Sequence, residues 1–534
     1  MKVITLFMIM LIPVALIAQY DRSLPEPVPS NAHLFSLNDQ VILIHPMDMQ
    51  NKSDKWVLFD SSLNITATRK LTTPYADDIL SQNYLQSDNV IFRIDQFLLD
   101  GQLHVNAYTF NVKGDLISSK ALDFSPHPGS QLLPVPFYIS QSPGKKIISL
   151  MQAQVIADSL IIANVILDDQ LNISSNTGFS IPFDAVLSDM YMPLVNNNET
   201  SFIITADKFD SYKLGSVVNC YMLHKGQKTP SPVHFKFNRK KIKDLNFFTP
   251  GDSLIFSALF SETSNKDVVS GILQTGYDTR EQKHLFTKDY TYNSEIKSQL
   301  KKMYNSEGRK GNLLNYLSIL PEQYVSDTSF GYAILLPAQK NGVRNIENNM
   351  PAPLPGLGQI QRDVAYSTQF IGTQPPGFSK PMDAAEASVY ARSLQGNRTI
   401  DYEPNKINYK SAPSRKSKSE YRNLLYFSLN DSPPGRSNHF LRIKTLDDPR
   451  YDFFTYIPGQ SSYSAIFYSL NGSHLPFLTK ITIDKFGSLE EKKMFEDNAK
   501  ILLPGYPIIV NQEFLTGFYQ DVNTRQMGLL KIKL

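Results

Sequence analysis

The chain has 534 residues and a mass of 60.4 kDa, with 53 Lys and Arg against 50 Asp and Glu and a formal net charge of +3. That balance creates no field to gather nucleic acid or an anionic membrane surface. Hydrophobic residues at 42% and charged residues at 19% exclude a disordered chain, and a single cysteine, Cys220, excludes an intrachain disulfide.

The first segment reads as a processing signal. Lys2 supplies a positive charge, Val3 to Ile17 is apolar, and Ala15 and Ala18 are small residues before a cut at Gln19. The apolar run is short for a membrane span and Pro13 interrupts it. Residues 1–18 are therefore expected to be a secretory signal peptide. Export to a periplasm, an outer cell surface or the medium follows, with no transmembrane segment after its removal. No Cys follows the cut, so no lipid anchor is expected. Ser23 to Ser30, with Pro25, Pro27 and Pro29, reads as an extended lead-in.

From Ala32 onward, short apolar and β-branched runs alternate with turn signals. Strands are expected at Val41–His45, Lys55–Asp60, Val90–Leu98, Leu103–Phe110, Lys146–Leu150 and Ser159–Leu167. More follow at Ser201–Ala206, Ser216–Leu223, Phe247–Phe248, Ser253–Phe260, Val268–Thr275 and His284–Thr287. Polar turns such as Lys113-Gly114-Asp115 and Asp168-Asp169-Gln170 join them as hairpins. The pattern changes between Tyr290 and Tyr421. Ile296, Leu300, Met303 and Tyr304 are spaced as in a helix over Ser294–Tyr304, while Phe330–Leu336 is still a strand. Prolines 351, 353, 355, 375 and 376 mark an irregular stretch. Within it, Asp383 and Glu386 form a capping box for a short helix over Ala384–Leu394, and Gly396 stops it. Residues 341–420 thus read as a Pro- and Gly-rich, partly helical insertion, where limited proteolysis is expected to cut first. Strands resume from Leu424–Leu429 through Phe514–Tyr519 and Gly528–Leu534.

An internal echo organises these strands. Leu58-Phe59-Asp60-Ser61-Ser62-Leu63-Asn64-Ile65-Thr66 returns as Ile166-Leu167-Asp168-Asp169-Gln170-Leu171-Asn172-Ile173-Ser174, with weaker copies at Phe110–Ser118 and Ile483–Leu489. Aligned on Leu63, Leu116, Leu171 and Leu489, the copies lie near multiples of about 53 to 55 residues, the length of one four-stranded propeller blade. An all-β body over residues 19–340 and 421–534 is expected, a β-propeller of seven or eight blades closed by the last strand. Tandem β-sandwich domains are the rival arrangement. The repeat unit, the Ala18-Gln19 junction and the Lys-, Asn- and Ile-rich body resemble exported β-propeller-like repeat proteins of Bacteroidetes-type bacteria. Signatures of particular propeller families are missing.

Motifs for chemistry are sparse. There is no His-Glu-x-x-His, no paired Cys-x-x-Cys, no Gly-x-Ser-x-Gly and no phosphate-binding glycine loop. Asn176-Thr177-Gly178-Phe179-Ser180 lacks the second glycine of a nucleophile elbow. Cys220, in a predicted strand, reads as a small buried hydrophobe. His224 and His234 flank a predicted turn without a nearby carboxylate. Asp77-Asp78 and Asp447-Asp448 are paired acids, but neighbours on a strand point to opposite faces. The basic runs Arg239-Lys240-Lys241-Ile242-Lys243 and Arg415-Lys416-Ser417-Lys418 read as solvated loops. No catalytic residue is assignable, and neither a cofactor nor a metal is expected. The first functional reading is a non-catalytic binding or scaffold protein contacting an envelope or extracellular protein, or a glycan. The alternative is a secreted hydrolase or lyase acting on an extracellular polymer.

Overall fold

The architecture is all-β, and every sheet is antiparallel. The computed structural model describes residues 19–24, 32–46, 53–72, 79–99, 102–124, 138–156, 158–184, 187–191, 193–207, 216–262, 270–292, 294, 298, 318–326, 329–336, 421–430, 439–446, 454–457, 462–470, 476–484, 488–495, 500–503, 508–510, 513–521 and 523–534. Strand β1 is Gln19–Ser23. The first sheet holds β2 to β5 in order: His33–Leu37, Gln40–His45, Ser53–Phe59 and Ile65–Thr72. The second holds β6 to β9: Ile79–Gln86, Ile91–Leu99, Gln102–Phe110 and Leu116–Leu122. The third holds β10 to β13: Tyr138–Gln141, Ile147–Ile156, Ser159–Asp168 and Ile173–Pro182. In the fourth, β14 (Ser188–Met190) and β15 (Leu194–Val195) both pair with β16 (Ser201–Asp207), followed by β17 (Ser216–Leu223) and β18 (Ser231–Phe237). The fifth holds β19 to β22: Lys241–Phe248, Ser253–Ser261, Gly271–Asp278 and Lys283–Thr291.

The sixth sheet holds β23 to β26: Ser318–Ser326, Ser329–Leu336, Tyr421–Asn430 and His439–Leu446. The seventh holds β27 to β30: Phe454–Ile457, Ser462–Leu470, Pro476–Asp484 and Leu489–Phe495. In the eighth, β31 (Lys500–Leu502) and β32 (Ile508–Val510) pair with β33 (Phe514–Asp521), then come β34 (Met527–Lys533) and β1. The first and last strands therefore pair in one sheet, with Gln19 opposite Ile532 and Ser23 opposite Gly528.

Apolar clusters bind the first five sheets in succession, and the seventh to the eighth. Phe92, Ile94, Ile148 and Leu150 join the second and third sheets, and Phe202, Val218, Phe256 and Phe260 join the fourth and fifth. Tyr468 and Leu478 meet Leu515 and Leu530 between the seventh and eighth. The eighth then packs on the first, where Phe518 and Leu529 meet Leu34, Val41 and Phe59. First strands of neighbouring sheets approach one another, as β10 does β15, β19 does β23 and β2 does β32. Fourth strands are exposed on alternate residues or more, as in β5 and β30.

Most inner strands fall where the apolar runs put them. The structure gives the helical insertion no support: the helix expected over 384–394 lies outside the described residues, as does most of 294–304, whose two described residues, Ser294 and Ser298, are helical. Residues 1–18 and 341–420 also lie outside them.

The echo needs a two-residue correction. Its copies align on a five-residue turn between third and fourth strands: Asp60 to Asn64, Asn111 to Asp115 and Asp168 to Asn172. In each turn the first side chain caps the loop. Asp60 Oδ1 accepts from the backbone N–H of Ser62 and Asn64 at 2.8 Å each, and Asn111 and Asp168 repeat the pattern. The fourth residue is left-handed: Leu63 at φ +61°, Gly114 at +77° and Leu171 at +63°. Leu63 and Leu171 are buried. Their true counterpart in the second copy is Gly114, whereas Leu116 and Leu489 begin the outer strands and are exposed.

Candidate functional site

Alternating strand direction gives the sheets two different ends. Connections between first and second strands and between third and fourth strands emerge at one end, where the longest is 431–438. The connections 123–137, 292–317 and 337–420 all emerge at the opposite end, which we term the loop end.

Polar tethers chain neighbouring sheets together at the turn end. Gln86 accepts from the Ser36 N–H at 3.2 Å and donates back to Ser36 O. Gln141 Nε2 donates to Gln86 O at 2.8 Å. Gly144 N–H donates to Asn197 Oδ1 at 2.8 Å, and Asn198 Nδ2 donates to Asp252 Oδ1. The partners lie 50, 55, 53 and 54 residues apart, so the tether recurs with the repeat. Between the eighth and first sheets Lys531 takes this part. It is buried, its Nζ donates to Ser61 O at 2.7 Å, and burial lowers its pKa while Asp39 and Asp60 oppose that shift. At these positions the turn end uses its polar groups to join neighbouring sheets.

A second polar cluster lies between the first and second sheets. Asp54 stands at the start of β4, just after the loop-end connection 46–52. Arg93 and Asp95 alternate along β7 and so share a face. All three are almost completely buried, at 0%, 2% and 1% exposure. Arg93 Nη1 donates to Asp54 Oδ2 at 2.6 Å, and Nη2 lies 3.2 Å from Asp95 Oδ2. The guanidinium sits 4.5 Å over the Tyr108 ring and 5.4 Å from that of Phe110. Tyr84, opposite Arg93 on β6, is also buried, and the His33 ring on β2 lies tilted against it with centroids 5.2 Å apart.

These surroundings set the protonation states. Burial raises the Asp95 carboxyl to about 7, against the attraction of Arg93. Burial opposes the Arg93 charge, but Asp95, Tyr84 and Asp54 outweigh it and hold the guanidinium protonated. Burial, reinforced by Asp54, lifts the Tyr84 phenol well above its ordinary range. The cluster can bind and release a proton and can lock two sheets together.

The residues singled out in the sequence do not converge. Cys220 is buried in β17, and burial alone pushes its thiol far up, away from nucleophilic character. His224 pairs with Thr200 Oγ1 at 3.1 Å beyond the end of β17, while His234 on β18 pairs with Asn219 Oδ1 at 2.7 Å. Gly178 and Ser180 lie within β13 rather than on a strand-to-helix turn. The basic run 239–243 is divided between a connection and β19: Lys240 pairs with Asp289 and covers the Phe260 ring, and Lys241 is buried. Asp77, Asp78, Asp447, Asp448 and 415–418 lie outside the described residues. Among the described residues no group of His, Cys, Asp and Glu is arranged to hold a metal ion. The Arg93 cluster was overlooked, although two charges alternating inside the apolar run Val90–Leu98 were a legible sign of a buried ion pair.

No protein-family model and no curated protein matches the sequence. Among solved structures, the β-propeller domain of the trilobed protease from Pyrococcus furiosus is similar at 8% identity and a TM-score of 0.32, covering 85% of this chain and 95% of that one. The polysaccharide lyase Uly1 gives 9% and 0.35, covering 97% and 98%. A pair of prolyl endopeptidases studied for inter-domain dynamics gives 8% and 0.37, covering 95% of this chain and 53% of that one. The neighbours are β-propeller proteins.

Proposed function

We propose that the chain is an exported β-propeller of eight blades that engages an extracellular polymer, protein or glycan, at its loop end. The asymmetry of the two ends carries this reading. Asx turns and intersheet tethers line the turn end, whereas the long connections leave from the other end, where a rigid scaffold presents recognition elements. Export rests on the signal-like segment 1–18. The eight-blade count rests on the eight sheets and on the packing of the last against the first.

Two activities fit such a site. One is binding or scaffolding without turnover. The other is hydrolysis or lysis of the polymer, and the protease, endopeptidases and lyase among the neighbours fit this second activity better than the first. Purified protein spanning residues 19–534 would be incubated with polysaccharide and polypeptide panels. Binding would be read by calorimetry and products by mass spectrometry. Binding should vanish when 337–420 is replaced by a short Gly-Ser turn and persist in a turn-end variant such as Asn197→Ala. The reverse pattern would move the site to the turn end. Products would decide for catalysis.

A further inference from the structure

We propose that Asp54, Arg93 and Asp95 form a proton-gated clasp between the first and second sheets, shut when Asp95 is protonated and loosened when it ionises. The geometry gives the two acids unequal shares of one guanidinium. Asp54 takes a direct hydrogen bond at 2.6 Å, and Asp95 has only the longer 3.2 Å approach. Facing Asp95 are Gln82 and Tyr84 from β6, Arg93 from its own strand, Asn106 and Tyr108 from β8, and Asp54 from β4 of the neighbouring sheet. His33 on β2 lies tilted against Tyr84 at the edge of the group. Of these, Arg93 is the cation at neutral pH in direct contact with Asp95, and Asp54 claims it at shorter range.

Ionising Asp95 therefore places a second negative charge in a sealed interface beside Asp54. The Coulomb and desolvation costs both act against the closed seam. Protonating Asp95 removes them and leaves Arg93 paired with Asp54. The consequence concerns more than stability. Asp54 opens β4 directly after the loop-end connection 46–52, so release of the clasp frees that strand end where recognition is proposed.

The direction with pH follows. The folded carboxyl titrates at about 7, above its ordinary 3.8. The clasp's stabilisation is complete below the unfolded value, declines as pH rises between the two values, and is lost once pH passes the folded one. Local opening of β4 and β7 should increase about tenfold per pH unit between about pH 5 and pH 6.5, then level off above about pH 7.

Amide exchange by mass spectrometry, corrected for intrinsic rates, would follow peptides covering 53–59 and 91–99 in the wild type and in Asp95→Asn. The expected result is a steep pH dependence in the wild type and a flat one in the variant. Equal slopes in both overturn the proposal. Should Asp95→Asn not fold, infrared spectroscopy of the wild type takes its place. A protonated-carboxyl C=O band present at about pH 6 and gone by about pH 8 supports the clasp, and its absence at about pH 6 overturns it.

Discussion

Replacing Leu63 by Gly and by Ala should invert the ordinary ranking of those two residues. Leu63 is wholly buried among Leu34, Val41, Phe59 and Phe518, so losing its side chain costs about 2–5 kcal/mol in either variant. Its φ of +61° adds about 1–2 kcal/mol of backbone strain for any residue with a Cβ. Ala keeps that strain and Gly removes it. Against this, Gly gives up about 0.5–1 kcal/mol of chain entropy. Leu63→Gly should therefore unfold at a higher denaturant concentration than Leu63→Ala, by about 0.5–1 kcal/mol. Leu171, at φ +63° and equally buried, should behave alike. Leu43, buried in the middle of β3, is the control and should show Gly below Ala by about 1 kcal/mol. Denaturant midpoints for the six variants suffice. If Gly falls below Ala at 63 and 171 by as much as at 43, the left-handed turn stores no strain and the reasoning fails. The chain contains its own version of the experiment. Gly114 occupies the same place at φ +77°, where an added Cβ would lie 3.2 Å from Trp56 Cε3.

Three further outcomes are expected. Gly528→Ala should unseat the closing strand, because the new Cβ would lie 2.5 Å from Arg22 O and 2.4 Å from Tyr519 Cε1; cleavage of 19–23 by added protease should rise well ahead of global unfolding. Arg93→Met leaves two acids in a sealed interface and should cost about 3–5 kcal/mol in chemical denaturation, more at about pH 8 than at about pH 5, because Asp95 ionises there without its cation. Asn197→Ala removes the acceptor for Gly144 N–H and should cost about 1 kcal/mol, with binding at the loop end unchanged.

The fold was legible where burial writes itself as apolar runs. β3, β12, β16 and β20 are covered on both faces by neighbouring sheets, so their residues are mostly apolar. The outer strands β5, β9, β13 and β18 went unread. Each bonds on one side and faces solvent along its length, so Ile65–Thr72 or Leu116–Leu122 carries Thr, Ser, Lys and Arg instead. The period was found but its register slipped. Leucine looked like the invariant feature, whereas the turn needs an Asx cap three residues before a left-handed position, which Leu and Gly fill for different reasons. The Arg93 cluster joins residues 39 positions apart, and nothing local to Asp54 announces its partner across the seam.

The pairing of β1 with β34 also bears on how freely the chain could be rewired. Gln19 lies opposite Ile532, so a short linker from Leu534 to Gln19 would make those two strands an ordinary third-to-fourth-strand hairpin, like the seven others. Fresh ends could then be cut into any turn-end loop, giving a family of circular permutants with one set of contacts and different starting points for synthesis. Comparing their refolding rates would show which sheet assembles first, a question the native order of the chain conceals.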